Sequence, residues 1–454
     1  MGGGSFEQEA VIEGGTMPSE QRAHWNAEVE TMSRDRLRDL QSERLVAQVE
    51  SVYANSGFFR EFYDAAGVKP SDIGSIDDIT KLPVMGKDDL RRYRAATGDP
   101  FCGTLCVPPA SLVKAHKSTG TSGAPNIFGV TQGDWDQATD NFARMLWRVG
   151  LRPGHRTNNW LEAAMTWHGY SMTAWGARKL GATVFTLEFD NRSVAQTNLE
   201  LLAGADMNAL FIYHPELEVK YLREKGIRPT DIHPNLEFVY SAFLCTDARR
   251  RILEDAWGVP YKNMGASGDQ YIPASECEHS APAMHYLEDQ FVVEVVDSDT
   301  LQPVEPGAEG ELVVTNLWAE ATPFIRYRME DVVTADFSPC QCGSTHARVN
   351  YRGRYAWSVA VQNRRIFSDD VENVLWARPA TEFAAYQLVK RKSQPQERLR
   401  VNTTVQGEAN EDLRDLLVED LERELQVPVD VVFVHPEEIG IGTVKFVRVT
   451  TAED

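Results

Sequence analysis

The sequence is short of several features, and each shortage excludes a class of protein. It has no run of about eighteen apolar residues, the length a membrane-spanning helix needs. No charged-then-apolar leader opens it, and six cysteines in 454 residues are too few for a disulfide scaffold. Positive charge is also scarce, with 46 Lys and Arg against 67 Asp and Glu, a net charge of −21. We therefore expect a cytoplasmic protein with neither nucleic acid nor a membrane as partner.

The length and the residue patterns predict two domains of α/β type. A chain of this length is too long for one compact core. Between residues 170 and 265, apolar β-type runs alternate with helical patterns, which predicts parallel sheet flanked by helices. The predicted strands there are 182–187, 209–213 and 236–242. Strand patterns separated by Gly and Pro turns follow from 284 to 350 and predict a more antiparallel region.

The predicted domain boundaries follow from composition and turn residues. Residues 1–25 are rich in Gly and Glu and are expected to be unstructured. Residues 26–353 form the predicted large domain, which ends at Gly353. Residues 354–454 form a predicted small unit in which strand and helix patterns alternate, with helices predicted at 368–375 and 410–425. In the large domain, a helix is predicted at 133–150.

Neither the Walker loop nor the dinucleotide fingerprint is present, but residues 117–125 read KSTGTSGAP. Glycines let a backbone approach an anion closely, and hydroxyls and bare N–H groups form a nest of donors that holds phosphate. The candidate phosphate-binding residues are Ser118, Thr119, Gly120, Thr121, Ser122 and Gly123. The alternative is a flexible Ser/Thr/Gly linker.

Soft metal ligands occur in two closely spaced pairs. Cys340 and Cys342 flank one residue in PCQCG, and Cys277 and His279 repeat this spacing in SECEH. Two such pairs can close a tetrahedral zinc site with no open position, which makes the zinc structural. His279 is the predicted fourth ligand and His346 is the rival. The alternative is two unrelated loops with reduced thiols.

Six distinct motifs are spread along nearly the whole chain. They are ITKLPVMGKDDL (79–90), STGTSGAP (118–125), GARKLGATV (176–184), EGELVVT (309–315), FIRYRMED (324–331) and GTVKFVRV (442–449). Together they resemble the phenylacetate–CoA ligase family of adenylate-forming enzymes. The resemblance implies a large N-terminal domain with mostly parallel sheets flanked by helices, and a small mobile α+β C-terminal domain.

The resemblance also implies a reaction and its residues. ATP activates a carboxylic acid as acyl-AMP, and CoA then takes the acyl group as a thioester. Lys445 is implied to reach the α-phosphate, Asp331 to hold the ribose hydroxyls, and Arg354 to contact ribose or phosphate. The alternative for Lys445 and Arg354 is a surface role. The segments implied to lie near adenine contain Ser241, Ala242, Met264 and Gly265.

Several positions depart from the family's pattern. Ala124 replaces the lysine of the phosphate loop. The glutamate that helps to hold Mg²⁺ is missing, and Asp269 is the nearest carboxylate. The hinge residues 355–357 and the CoA-facing residues 360–365 also differ. Two alternatives to CoA transfer therefore stay open: transfer of the acyl adenylate to an amine or another small nucleophile, and a weakened nucleotide-binding paralogue.

Aromatic residues limit the class of substrate, because they lie in segments that correspond to the acyl pocket of the family that this chain resembles. The candidates are Trp167, His168, Gly169, Tyr170 and Tyr213. Tryptophan and tyrosine there favour a flat aryl or arylacetic acid through offset stacking. Ordinary core positions are the alternative, and we predict one for Trp175. A homodimer is left open.

Overall fold

The structure is a computed structural model. It describes residues 23–117, 126–160, 168–187, 197–212, 215–242, 245–267, 272–393, 395–439 and 448–452. Within these ranges, no helix combines the length and the apolar character that crossing a bilayer requires. Trp25 is packed against Trp147, with ring centroids 5.6 Å apart. Trp25, which belongs to the segment predicted to be unstructured, therefore packs on the fold, and residues 1–22 of that segment lie outside the described residues.

Twelve α-helices lie within the described ranges. They are α1 (Ala27–Glu30), α2 (Arg34–Asn55), α3 (Gly57–Ala66), α4 (Lys87–Thr97), α5 (Gln132–Val149), α6 (His168–Lys179), α7 (Pro215–Lys225), α8 (Pro229–Ile232), α9 (Asp247–Trp257), α10 (Ser368–Leu375), α11 (Glu411–Leu425) and α12 (Pro436–Ile439). Polar caps fix where long helices begin. The Ser33 hydroxyl accepts the N–H of Arg36 at 3.3 Å, and the Asn410 side chain accepts the N–H of Leu413 at 2.9 Å. Such acceptors satisfy N–H groups that have no partner inside the helix.

Two short sheets precede the main one. β1 (Lys114–Lys117) and β2 (Ile127–Val130) are antiparallel. β3 (Arg156–Trp160) and β4 (Thr183–Leu187) are parallel. The crossover between β3 and β4 carries α6, which packs tightly on α5. A Cβ added to Gly176 would lie 2.8 Å from the backbone of Phe142 and of Ala143, so this glycine permits the close approach.

The largest sheet has nine strands. They are β5 (Ala209–Phe211), β6 (Phe238–Ser241), β7 (Tyr261–Ser267), β8 (Ile272–Ser275), β9 (Met284–His285), β10 (Phe291–Val296), β11 (Gly310–Asn316), β12 (Tyr327–Asp336) and β13 (Arg348–Arg354), in the spatial order β10-β11-β12-β13-β9-β8-β7-β6-β5. β5, β6 and β7 are parallel, and every other neighbouring pair is antiparallel. The α/β class is confirmed, and so is the antiparallel region after residue 284. Parallel pairing nevertheless makes up a smaller share of the sheets than predicted.

The C-terminal residues have a hydrophobic core of their own. β14 (Ser358–Val361) pairs with β15 (Arg364–Phe367), and a four-stranded sheet combines β16 (Tyr386–Arg391), β17 (Leu399–Thr403), β18 (Val429–Phe433) and β19 (Val449–Ala452). Buried apolar side chains from Val359 to Val431 form one cluster, which Ala248 joins from outside this region. We call residues 26–353 the N-terminal region and residues 354–454 the C-terminal region; the boundary between them stays a prediction.

Candidate active site and metal cluster

The predicted phosphate loop, residues 118–123, lies outside the described residues, but its flanking strands are described. β1 and β2 pair so that Lys117 is opposite Ile127. Lys114, on the same strand, lies over the Trp135 ring at 5.4 Å from its centroid. Burial lowers the pKa of the Lys114 amine. Two cations are thus held on the strand that leads into the predicted loop.

Asp134 fixes the beginning of α5, just after this hairpin. Its buried carboxylate accepts the N–H groups of Thr131 at 3.0 Å, Glu320 at 2.7 Å and Ala321 at 3.1 Å. The Thr131 hydroxyl donates to Oε2 of Glu320 at 2.6 Å. The loop around Glu320 is therefore held against the end of the hairpin. Sequence reasoning did not single out Asp134 or Glu320, because the contact spans 186 positions.

The four residues predicted to lie near adenine lie close together, at the end of β6 and in the middle of β7, just past the residues of β7 that pair with β6. β6 and β7 are parallel, with Ser241 opposite Asn263, so Ala242 and Met264 are the next residues. Ser241 is buried, and its hydroxyl lies 2.5 Å from the hydroxyl of Tyr261. Gly265 faces Met284, whose Cε would be 3.2 Å from an added Cβ.

Asp331 and Arg354 form an ion pair on adjacent strands of the same sheet. They are register partners on β12 and β13, and Nε of Arg354 donates to Oδ1 of Asp331 at 2.8 Å. The guanidinium also lies over the Trp357 ring, 5.2 Å from its centroid. Burial raises the pKa of Asp331, while the charge of Arg354 opposes that rise. Two residues that are 23 positions apart in the sequence are thus brought into contact.

Other predicted site residues are not described by the structure. Residues Trp167, Tyr213, Asp269 and Lys445 lie outside the described ranges. His168, Gly169 and Tyr170 begin α6, but their side chains are not described. Trp175, predicted to be a core residue, is instead 40% exposed and meets Trp135 edge to face at 5.8 Å. The prediction for Trp175 was wrong because its side chain lies at the edge of the contact between α6 and α5, against Trp135 and partly open to solvent.

Four soft ligands converge at one end of the nine-stranded sheet. The ligand atoms of Cys277, His285, Cys340 and Cys342 all lie within 4.8 Å of one another. Sγ of Cys277 is 3.7 Å from Sγ of Cys340, and Sγ of Cys342 is 3.7 Å from Nε2 of His285. Tetrahedral zinc with its usual bond lengths would place two sulfurs about 3.8 Å apart, and a sulfur and a nitrogen about 3.6 Å apart. The cluster therefore fits zinc in both ligand type and spacing.

The fourth member of this cluster corrects the sequence prediction. His279 points elsewhere: its Nε2 lies 3.1 Å from Glu278, and its side chain is 38% exposed. His346 is buried, but its Nε2 lies 2.9 Å from the carbonyl oxygen of Val29. His285 takes the position because β9 pairs with both β8 and β13, which places it opposite Ser275 and Arg348. No spacing rule in the sequence reveals this pairing.

The electrostatics of the cluster favour a thiolate. A hydrogen bond from Cys342, assisted by one from His285, lowers the pKa of Cys277 far below the usual range of a thiol. Burial lowers the pKa of His285, so its imidazole is held neutral. Thiolate sulfur and neutral imidazole nitrogen are the forms that bind zinc. Four protein ligands leave no open position, so a metal here would be structural.

The loop that carries two of these cysteines also contacts residues 30–34, which lead into α2. The N–H of Thr345 donates to the carbonyl of Glu30 at 3.1 Å, and its hydroxyl donates to the carbonyl of Met32 at 2.6 Å. Arg34 donates to the carbonyl of Thr345 at 3.1 Å and pairs with Glu288. Ordering this loop therefore also orders the entry to α2.

Comparison with known proteins gives one consistent result. A phenylacetate–coenzyme A ligase from Thermus thermophilus is 31% identical to this chain over 376 residues, which cover 81% of each protein. Further proteins of that name are 29–30% identical. No protein-family model matches the chain.

Solved structures share the fold at lower identity. A 2-hydroxyisobutyryl-CoA ligase in the postadenylation state, in complex with 2-HIB-AMP, superposes with a TM-score of 0.84 at 21% identity, covering 96% of this chain and 94% of that one. The ligase of that name in complex with 2-HIB-AMP and CoA, in the thioesterification state, superposes with a TM-score of 0.70 at 22% identity, covering 97% and 94%.

Proposed function

This chain belongs to the phenylacetate–coenzyme A ligase family and is an adenylate-forming ligase, and from that premise we propose that it makes an aromatic acyl-CoA in two steps. In the first step, the carboxylate of an aryl or arylacetic acid attacks the α-phosphate of ATP, acyl-AMP forms and pyrophosphate leaves. In the second step, the thiol of CoA attacks the acyl carbon, the thioester forms and AMP leaves.

One observation carries the nucleotide part of this proposal. Asp331, in the segment FIRYRMED, lies buried beside Arg354 at the end of β13. A carboxylate can accept hydrogen bonds from both hydroxyls of a ribose, which suits a vicinal diol. The adjacent guanidinium favours the charged form of that carboxylate, in opposition to burial, and is itself suited to phosphate. Holding the ribose here orients the α-phosphate for attack.

The remaining roles follow from the family and stay proposals. Lys445 would stabilise the charge that builds on the α-phosphate, and residues 118–123 would hold the β- and γ-phosphates. Asp269 would help to hold Mg²⁺ in place of the family's glutamate. Trp167, His168, Gly169, Tyr170 and Tyr213 would form the acyl pocket. When bound, Mg²⁺ neutralises phosphate charge as pyrophosphate departs.

We assign the two steps to two placements of the C-terminal region. This chain resembles the postadenylation structure (TM-score 0.84) more than the thioesterification structure (TM-score 0.70) at almost equal coverage. Such a difference at constant fold is expected when two rigid parts are placed differently. We therefore propose that the first step takes place in the described arrangement, and that residues 354–454 rotate before the second.

Pyrophosphate exchange across a panel of aromatic acids tests the proposal most directly. We expect acid-dependent incorporation of labelled pyrophosphate into ATP with one or more aryl or arylacetic acids, without CoA. Aliphatic acids of equal length serve as the matched controls. No exchange with any acid would leave the weakened paralogue as the better account.

The acceptor is tested separately, with the acid found by exchange. We expect CoA to convert the acyl adenylate to a thioester that mass spectrometry and hydroxylamine cleavage identify. Amines at the same concentration are expected to react only at the rate of free acyl adenylate in solution. Efficient trapping by an amine, with no thioester formed, would show that the acceptor is an amine and not CoA.

Asp331→Asn should weaken ATP binding with little change of fold. The amide keeps the shape of the side chain but loses charged hydrogen bonds, so the KM for ATP is expected to rise roughly tenfold to a hundredfold. Asp336→Asn is the matched control, because Asp336 lies on the same strand, pairs with Arg348 and is exposed. Steady-state kinetics with ATP varied is the measurement. An equal KM change in both variants would contradict the ribose role.

The raised pKa of Asp331 predicts that the KM for ATP depends on pH. Burial raises this pKa, so the carboxylate is protonated at a higher pH than an ordinary aspartate would be. Protonation removes the acceptor that ribose needs. The KM for ATP of the natural chain is therefore expected to rise as the pH falls through the raised pKa, and this rise should be absent in Asp331→Asn.

A further inference from the structure

A buried ion pair joins the two regions at the face between α9 and α10. Arg249 on α9 donates from Nε to Oε1 of Glu372 at 3.1 Å and from Nη2 to Oε2 at 3.0 Å. The side chains are 11% and 3% exposed. Paired donors on a guanidinium and paired acceptors on a carboxylate fix both the distance and the orientation of the two helices.

Further contacts between α9 and α10 surround this ion pair. The hydroxyl of Thr246 donates to Oε1 of Glu372 at 2.9 Å, and the N–H of Ala248 donates to Oδ1 of Asn373 at 3.0 Å. The Arg249 guanidinium also lies over the Trp376 ring, 4.8 Å from its centroid. The first turn of α9 thus docks onto α10 through polar groups, while Ala248 of the same turn enters the hydrophobic cluster of the C-terminal region.

Each member of the ion pair also has a partner on its own side of the face. Nη1 of Arg249 lies 3.0 Å from Glu216, within the N-terminal region. Glu372 accepts from the Tyr386 hydroxyl at 3.2 Å and from Arg448 at 3.4 Å, within the C-terminal region. If the regions separate, neither charge is left alone, and both regain water. The usual penalty for breaking a buried ion pair is thereby reduced.

We propose that Arg249 and Glu372 are positioning residues that hold the C-terminal region in the adenylation arrangement and release it for thioester formation. This inference rests on the proposed two-step function and on the assignment of the two steps to two placements of that region. The pair contributes differently to the two placements, which is what any switch between conformations requires.

The chemistry of the face suits a contact that forms and breaks in every cycle. A wholly apolar face would expose its surface to water at each separation, which costs free energy in proportion to area. A polar face exchanges protein partners for water instead. The bidentate geometry still gives one preferred docking position, because it is lost when either helix shifts by a residue.

The test is to remove the cation at Arg249 and measure the two half-reactions separately. Arg249→Met keeps the apolar stem over Trp376 and removes the bidentate donors. We expect pyrophosphate exchange to fall about tenfold, because the adenylation arrangement is less populated. Transfer of a supplied acyl adenylate to CoA should be unchanged or faster. Arg249→Lys keeps the charge but not the fork geometry. Its rate of pyrophosphate exchange should lie between those of the natural chain and Arg249→Met.

A physical readout supplements the kinetics. Small-angle X-ray scattering of Arg249→Met with a non-hydrolysable acyl-AMP analogue should show a changed distance distribution relative to the natural chain. The matched control is Asp420→Asn, which removes the partner of Arg378 inside the C-terminal region. This control should leave the distance distribution and the ratio of the two half-reactions unchanged.

Two outcomes would overturn the inference. One is an equal loss in both half-reactions of Arg249→Met, accompanied by a lower melting temperature, since this marks a purely structural ion pair. The other is no change in either half-reaction or in scattering. A natural chain that shows no exchange with any acid would instead refute the proposed function, which separates the two failures.

Discussion

Lys445→Ala is expected to slow acyl-adenylate formation by ~10²–10³-fold, the effect of removing one preorganised donor from developing charge. Negative charge grows on the α-phosphate during attack, and the family resemblance assigns Lys445 to that charge. Pyrophosphate exchange measures the loss. Transfer of a supplied acyl adenylate to CoA should fall far less, because this lysine is not proposed to take part in the second step.

A lysine elsewhere in the C-terminal region provides the control for charge loss. Lys390 lies on β16 and is opposite Thr451 in the register with β19. Lys390→Ala should leave both half-reactions within about twofold, because this half-buried lysine is assigned to neither step. Equal losses in the two half-reactions of Lys445→Ala would contradict its assignment to the adenylation step.

Cys340→Ser is expected to abolish the binding of about one zinc per chain and to lower the melting temperature on the order of 10 °C. The metal binds the folded cluster and not the unfolded chain, so its binding free energy adds to folding stability. The effect should extend to the segment around Glu30, since the cysteine loop holds it. Metal analysis and thermal unfolding on the same samples are the measurements.

Two histidine variants decide between the predicted and the observed fourth ligand. His285→Asn should lose zinc as Cys340→Ser does, whereas His279→Asn should retain it. Cys245→Ser, a cysteine outside the cluster, controls for the loss of a thiol. Because thiolates must lose protons to bind metal, zinc should be released as the pH falls. A stable preparation without metal and with unchanged melting would refute the zinc site.

The local sequence was sufficient wherever neighbouring residues determine the structure. The predicted helices at 133–150, 368–375 and 410–425 agree with α5, α10 and α11 within one residue at each end. Capping side chains and turn glycines lie next to the elements they limit, so their signal is local. The ordered motifs also established the family, which the relative from Thermus thermophilus confirms.

Strand pairing was harder to predict because partners are distant in the sequence. Apolar runs predicted β4, β5 and β6 correctly but could not reveal that β7 joins a parallel group to an antiparallel one. A short apolar run fits either direction, since period and propensity are the same for both. The large sheet is therefore more antiparallel than its helical connections suggested.

By itself, the sequence determined the family, the α/β class, the positions of several long helices and the residue types available for phosphate, ribose and metal. Only the tertiary structure decided which of these residues meet. It paired Asp331 with Arg354, chose His285 over His279, and joined Arg249 to Glu372 across 123 positions. The reason is physical: composition and spacing fix local conformation, whereas side chains far apart in the chain meet only once sheet register and helix packing have set their distances.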